Sequence, residues 1–189
     1  MKPLGKAYAD ATANTGDFQR LPAGGYIAKI LAVKDVDDKS YLLVTFDIAE
    51  GEKKGFYAKT DAEHEYTHQF IRSYKETALG MFKGFLKAVD NSNGTNFEPQ
   101  AEKGFAEQQL VGKVVGILVG YEEYVSNRGD VRERMRVNTR SAETIRSGNF
   151  TVPELKKLER GNGGAGGPSA APVSPVPDFI GITDADIPF

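Results

Sequence analysis

The sequence predicts a mainly β fold of five strands with one helix between the third and the fourth strand, followed by a disordered C-terminal tail. Two apolar, β-prone runs, 26–33 and 41–48, are separated by a short polar stretch, which is typical of a hairpin. Beyond residue 73 the apolar period changes from two residues to about 3.6, which indicates a helix. Residues 161–178 are rich in Gly and Pro and contain few side chains able to pack.

The first three strands are expected before residue 60. Gly24-Gly25 precedes the run 26–33, and the polar stretch 35–40 leads into the run 41–48. In this second run one face consists of Leu42, Val44, Phe46 and Ile48. Such an alternation is what the wall of a barrel requires. A third short strand is predicted at 55–59, after a turn at Gly51.

The helix and the last two strands follow. The apolar stripe of the helix comprises Ala78, Leu79, Phe82, Phe85, Leu86 and Val89, and a helix end is predicted near 91–94. Strands are predicted at 114–121 and 131–137 around a turn at 127–130, and a short capping helix at 154–159. The order β-β-β-α-β-β is that of a five-stranded OB-type barrel.

Charge divides the chain into a weakly basic body and an acidic tail. All 24 basic residues and 23 of the 26 acidic residues lie in 1–160, whereas 161–189 hold three acidic residues and no basic one. We therefore expect an N-terminal arm at 1–20, an OB-type domain at 21–160, a linker at 161–178 and an acidic tip at 179–189.

The composition also limits the class of protein. The chain contains no cysteine, which excludes a disulfide framework and a cysteine-based zinc site and favours an intracellular protein. The first residues do not resemble a signal sequence, and no apolar stretch is long enough to span a bilayer. A cytoplasmic protein without a membrane partner is expected.

The C-terminal tip has the character of a docking peptide. An apolar cluster at the end of an unstructured tether suits a pocket with an apolar slot and a basic rim. Its expected partner-binding residues are Asp184, Asp186, Ile187, Pro188 and Phe189. The sequence Asp-Ala-Asp-Ile-Pro-Phe resembles the terminal peptide of bacterial single-stranded DNA-binding proteins. This resemblance implies recruitment of replication, recombination and repair proteins.

The body resembles a group of small phage or prophage proteins encoded near replication and recombination genes. The strings that carry this resemblance are Leu-Pro-Ala-Gly-Gly-Tyr at 21–26, Phe-Asp-Ile-Ala-Glu-Gly at 46–51, Ser-Tyr-Lys-Glu at 73–76 and Gly-Tyr-Glu-Glu-Tyr at 120–124. The resemblance implies a phage-encoded protein acting in the cytoplasm of its host.

The candidate DNA-binding residues combine cations for the phosphates with rings for the bases. Around the last predicted hairpin they are Arg128, Arg132, Arg134, Arg136, Tyr121 and Tyr124. A second set comprises Tyr57, Lys59, Arg72, Tyr74 and Lys75. The alternative interpretation of the arginine strand is a solvated outer face whose charges are paired with Glu122, Glu123 and Glu133.

One motif suggests a different class of protein. His64-Glu65-Tyr66-Thr67-His68 matches H-E-x-x-H, which on a helix would offer two imidazoles to zinc. These are the only histidines and the preceding residues lack an apolar face, so a polar surface loop is the preferred interpretation. We expect no metal, no cofactor and no enzymatic activity.

The predicted function is sequence-nonspecific binding of single-stranded DNA in phage replication or recombination, with recruitment of partner proteins through the tip. The alternative is an OB-fold interaction adaptor that does not bind DNA directly. The sequence leaves open the oligomeric state, the preference for DNA or RNA, and the identity of the protein partners.

Overall fold

The computed structural model describes residues 20–60 and 65–158, and within them five strands form one antiparallel sheet. The strands are β1 (Gly24–Val36), β2 (Tyr41–Ile48), β3 (Gln69–Ser73), β4 (Val114–Val125) and β5 (Val131–Arg140), in the spatial order β3-β2-β1-β4-β5. The predicted mainly β class is therefore confirmed. The expected arm up to residue 19, the linker and the acidic tip lie outside the described residues.

Short helices connect these strands. The α-helices are α1 (Phe56–Thr60), α2 (Leu79–Asn93), α3 (Phe97–Gln100) and α4 (Ala142–Arg146), and single 3₁₀ turns occupy Asp37–Lys39, Glu65–His68, Glu76–Ala78 and Glu107–Leu110. The predicted helix between the third and fourth strands is α2, and it ends at Gly94, whose φ of 65° suits glycine. None of the described helices combines the length and apolar character needed to cross a membrane.

The core lies between the inner face of the sheet and α2. The four residues of β2 that were predicted to share one face are buried, as are Phe85, Leu86 and Val89 of α2. The rings of Phe70 on β3 and Phe85 on α2 meet edge to face, with centroids 6.0 Å apart. The apolar stripe of α2 therefore covers the sheet, although Leu79 at its beginning is exposed.

The predicted third strand at 55–59 is wrong, because these residues form α1 and the third strand is Gln69–Ser73. The buried carboxylate of Asp47 explains the helix. It accepts hydrogen bonds from the backbone N–H groups of Tyr57 (3.0 Å) and Ala58 (3.1 Å), which would otherwise lack partners at the helix start. A contact ten residues away in the chain thus overrides local β-propensity.

The predicted helix at 154–159 is also wrong for the residues that the structure describes, because 154–158 are not helical. Lys156 instead pairs with the free edge of β4: its N–H donates to the carbonyl of Tyr121 (3.0 Å) and its carbonyl accepts from the N–H of Glu123 (2.9 Å). The short helix of this region is α4, whose N-cap Ser141 accepts from the N–H of Thr144.

The sheet is not closed into a barrel. β3 and β5 are its two edges, and within residues 20–60 and 65–158 no backbone ladder joins them. A side chain crosses the gap instead: Arg72 on β3 donates from Nη2 to the carbonyl of Val137 on β5 (2.9 Å). The finer prediction of an OB-type barrel is thus not confirmed by the ladder pattern.

Candidate nucleic-acid interface

The hairpin of β4 and β5 extends beyond the rest of the sheet. β4 pairs with β1 only through residues 114–119, whereas its ladder with β5 continues from Gly116 to Val125. Residues 120–125 and 131–136 therefore form a hairpin extension, which we call the ribbon and whose β4 edge is covered at Glu122 by the bridge to Lys156. A turn at 126–130 closes it, with Gly129 at a φ of 84°.

One face of the ribbon carries the predicted arginines. Arg132, Arg134 and Arg136 alternate along β5 and lie opposite Tyr124, Glu122 and Gly120 of β4. Arg128 is exposed in the turn. Arg132, Arg134 and Arg136 therefore share one surface, as their spacing predicts. On the opposite face Met135 and Val137 pack toward the core, but Val131 is exposed.

Glu122 offsets much of this positive charge. It is 7% exposed and accepts from Arg134 Nε at 2.6 Å, while its other carboxylate oxygen lies 3.1 Å from Arg136 Nη1. Arg132 is paired more loosely, with Nη2 lying 3.8 Å from Asp130 Oδ2. The alternative interpretation, in which acidic neighbours pair with the arginines, is thus correct for Glu122. Arg132 and Arg128 keep the most accessible charges.

The two tyrosines of the hairpin lie on opposite faces. Tyr124 is half-buried on the arginine face, where the guanidinium carbon of Arg134 is 5.4 Å from its ring centroid. Tyr121 faces the other way and is covered by Arg20, whose guanidinium carbon is 3.2 Å from the ring centroid. Burial raises the pKa of Tyr121, and its hydroxyl donates to the carbonyl of Leu21.

The second candidate set is not brought together as an exposed surface. Tyr57 and Arg72 are each only 5% exposed and lie in the core. Lys59 and Lys75 are exposed, and Lys59 Nζ donates to the carbonyl of Lys54. The hydroxyl of Tyr74 donates to Asp35 (2.8 Å), and burial together with this hydrogen bond raises the pKa of Tyr74 to about 12. Because Tyr57 is buried, the set does not form a row of exposed rings on which bases could stack.

Two basic residues near the ribbon were missed by the sequence analysis. Arg20, assigned to the arm, forms an ion pair with Glu133 besides covering Tyr121. Arg140 is exposed on β5 and continues the alternation of the arginine face after Asn138. The two-residue period of β5 could have identified Arg140, whereas nothing in the local sequence indicates the contact of Arg20.

The H-E-x-x-H motif is only partly described, because His64 lies outside the described residues. His68 is 5% exposed and stacks on Tyr57, with ring centroids 4.7 Å apart. The expectation of a polar surface loop is therefore wrong for His68. In the part of the chain that the structure describes, no group of three or more acidic, His or Cys side chains is arranged to hold a metal ion.

Neither a protein-family model nor a curated protein matches this chain.

Proposed function

We propose that the chain binds single-stranded DNA with little sequence preference along the arginine face of the ribbon. The observation that carries the proposal is the placement of Tyr124 among alternating arginines on one face of the ribbon. Cations for the phosphates and a ring for a base are the two components that sequence-tolerant binding of single strands requires.

The strand order supports an OB-type barrel that is open between β3 and β5. Its sheet order is β3-β2-β1-β4-β5, and α2 lies between β3 and β4. OB folds are five-stranded, partly open barrels that bind oligonucleotides through the loop between strands 4 and 5, among other elements. In this chain that loop is the turn of the ribbon, which contains Arg128.

The acidic tip completes the proposed function. Asp184 and Asp186 precede the apolar Ile187-Pro188-Phe189, and we propose that this peptide recruits replication or recombination proteins. The tip can also compete with phosphates for the basic face. Truncation after residue 160 should therefore strengthen DNA binding at low salt, where such competition is least screened.

The experiment is fluorescence anisotropy of a labelled oligo-dT, titrated with wild type, Arg132→Gln, Tyr124→Leu and the 1–160 truncation at two salt concentrations. Tyr124→Leu should weaken binding about tenfold, the effect of losing one stacked base. Arg132→Gln should reduce the slope of log affinity against log salt by about 0.7, the value for one phosphate contact on a single strand.

Arg146→Gln is the matched control. It removes one exposed arginine that is paired with Glu50, away from the ribbon, so it should leave the salt slope unchanged. Absence of salt-sensitive binding at micromolar concentration, by both the full chain and the truncation, would refute the proposed function.

An interaction adaptor is the second candidate, and one observation favours it. Val125 and Val131 lie opposite each other at the end of the ribbon and are 57% and 50% exposed, on the face without the arginines. An apolar pair at an exposed tip suits a protein partner. If Val125→Thr with Val131→Thr abolishes partner binding while DNA affinity is absent in every variant, the adaptor function replaces the first.

A further inference from the structure

A cleft of about 540 Å³ lies between α2 and the end of β5, outside the ribbon. Three cations line it, namely Arg72, Lys87 and Arg140, and no Asp or Glu is among its lining residues. Within the described residues none of the three has a carboxylate within 4 Å. The volume is in the range of pockets that bind small ligands.

Arg72 is the unusual member of this group, since a buried charge is normally paired. It is 5% exposed, and its guanidinium donates to the carbonyls of Ile71 (2.8 Å) and Val137 (2.9 Å). These two bonds use two of the five N–H donors of an arginine. Three of its N–H donors have no hydrogen-bond partner within the described residues, and Arg72 lines a cleft that supplies no anion of its own.

The helical wall of the cleft contains two glycines. Gly80 and Gly84 lie one turn apart on α2, and a Cβ at either position would meet nothing within 4 Å. Glycine inside a helix costs about 1 kcal/mol relative to alanine. Packing does not require glycine at either position, and the two glycines leave this part of the wall without side chains.

The other lining residues are uncharged, and they include polar side chains as well as the apolar Met81 and Ala88. They offer side-chain amides from Asn91 and Asn138 and hydroxyls from Ser141 and Thr144. Such groups donate hydrogen bonds to phosphate oxygens without adding negative charge. Cations, amides and hydroxyls together fit a phosphate ester and not a cation.

We propose that this cleft binds phosphodiester groups of a nucleic-acid strand that continues from the arginine face of the ribbon. The inference rests on the proposed function. Asn138 and Arg140 share the alternation of Arg132, Arg134 and Arg136 on β5 and also line the cleft, so the arginine side of this strand reaches the rim of the cleft. The path from Arg132 to Arg140 is about 27 Å at the usual rise per residue, a length compatible with several nucleotides.

The first test is a nuclear magnetic resonance titration of the ¹⁵N-labelled full chain, following the amide signals of Gly80 and Gly84 and the Nε–H signal of Arg72. The probes are a 5′-hydroxyl oligo-dT of about ten nucleotides, within the usual site size, then dTMP and inorganic phosphate. The oligonucleotide has only internal phosphodiesters. It should shift these signals at equimolar concentration, and the other two probes only in large excess.

The outcomes separate the two proposals. If the oligonucleotide binds and shifts Tyr124 and Arg132 but not the three cleft signals, the cleft proposal is overturned and the ribbon function stands. If it shifts the cleft signals alone, DNA binds in the cleft but not along the ribbon, and both the ribbon function and the continuous path from the arginine face are overturned. If only dTMP or inorganic phosphate shifts the cleft signals, the cleft is a site for free phosphates and the polynucleotide assignment fails.

The second test compares Gly84→Glu with Gly84→Gln, which differ in charge but hardly in size. Glu and Gln both have a higher helix propensity than Gly, so neither substitution should prevent folding. The carboxylate should weaken oligonucleotide binding about tenfold relative to the amide, the equivalent of one charge-assisted hydrogen bond. Lys87→Gln with Arg140→Gln should lower the salt slope by about 1.4, for two phosphate contacts. Equal affinity of Gly84→Glu and Gly84→Gln, with an unchanged slope in the double variant, would overturn the proposal.

Discussion

Arg72 of β3 donates a hydrogen bond to the backbone carbonyl of Val137 of β5, joining the two edges of the sheet through one side chain. The guanidinium carbon also lies 4.4 Å from the ring centroid of Phe70. In a closed barrel backbone groups of the two edges would pair with each other. Here a buried cation takes that place, and burial lowers the pKa of Arg72 to about 10.

Arg72→Met should reduce the free energy of unfolding by about 2 kcal/mol. Two hydrogen bonds from a charged donor contribute about 1.5–3 kcal/mol each, and the contact with Phe70 adds about 1 kcal/mol. Burial lowers the pKa of Arg72 and so opposes these contacts, which makes the expected loss smaller than their sum. Urea denaturation measures the difference. Arg140→Met, at an exposed position of the same cleft, should change stability by less than about 0.5 kcal/mol; a gain in stability for Arg72→Met would contradict the account.

Asp47→Ala should destabilise the fold by about 1–2 kcal/mol, the usual effect of losing a helix cap. The carboxylate is buried and serves three backbone N–H groups, those of Ile48, Tyr57 and Ala58. Chemical denaturation monitored by circular dichroism measures this loss. Asp38→Ala, at an exposed position of the β1–β2 turn, provides the control. An equal effect of the two substitutions would show that α1 does not depend on Asp47.

Gly116 is closely packed and Gly84 borders open space, so substitution by alanine should change the stability in opposite directions at the two positions. Gly116→Ala would place a Cβ 2.5 Å from the carbonyl oxygen of Ser141, and the backbone there cannot give way cheaply. It should cost about 1–3 kcal/mol, as overpacking does. Gly84→Ala points into open space on a helix and should stabilise by about 0.4–1 kcal/mol. Thermal unfolding of both variants checks the sign, and a loss of stability for Gly84→Ala would mean that the wall of the cleft is packed.

Most of the secondary structure follows from local pattern, and the third strand shows where local pattern fails. Residues 55–59 contain β-prone rings, but the distant carboxylate of Asp47 caps them as α1. The true β3 alternates Phe70 and Arg72 toward the interior. Because a buried arginine is rare without a carboxylate partner, sequence pattern alone does not identify this segment as a core strand. The arrangement of β3 against β5 depends on the same side chain.

The candidate site was predictable in its periodicity and in the pairing of its arginines with Glu122, but not in its contacts with residues distant in sequence. The arginines of β5 alternate, so their common face could be predicted from spacing alone. Tyr121 and Tyr124 are three residues apart, which places them on opposite faces of a strand, and this parity already argued against a shared stacking surface. The burial of Arg72 and the contact of Arg20 with Tyr121 depend on residues distant in sequence, which spacing does not reveal.

Glu122→Gln tests whether the carboxylate of Glu122 weakens DNA binding by the arginine face. Glu122 is the carboxylate that Arg134 and Arg136 share, and both arginines are about one-third exposed. The amide retains an oxygen acceptor for one of them but removes the negative charge. Released guanidinium groups can contact phosphates, so we expect severalfold tighter binding of oligo-dT at low salt and a slope steeper by about 0.7 for each added contact.

Glu133→Gln is the control for this variant, because it makes the same change in net charge on the opposite face of the ribbon, where Glu133 is paired with Arg20. At about 0.1 M salt, charges more than about 10 Å apart are largely screened, so a local contact and a general charge effect give different results. A gain for Glu122→Gln alone places the strand on the arginine face. Equal gains for both variants would mean that affinity follows net charge, and an unchanged affinity for Glu122→Gln would mean that Arg134 and Arg136 do not contact DNA.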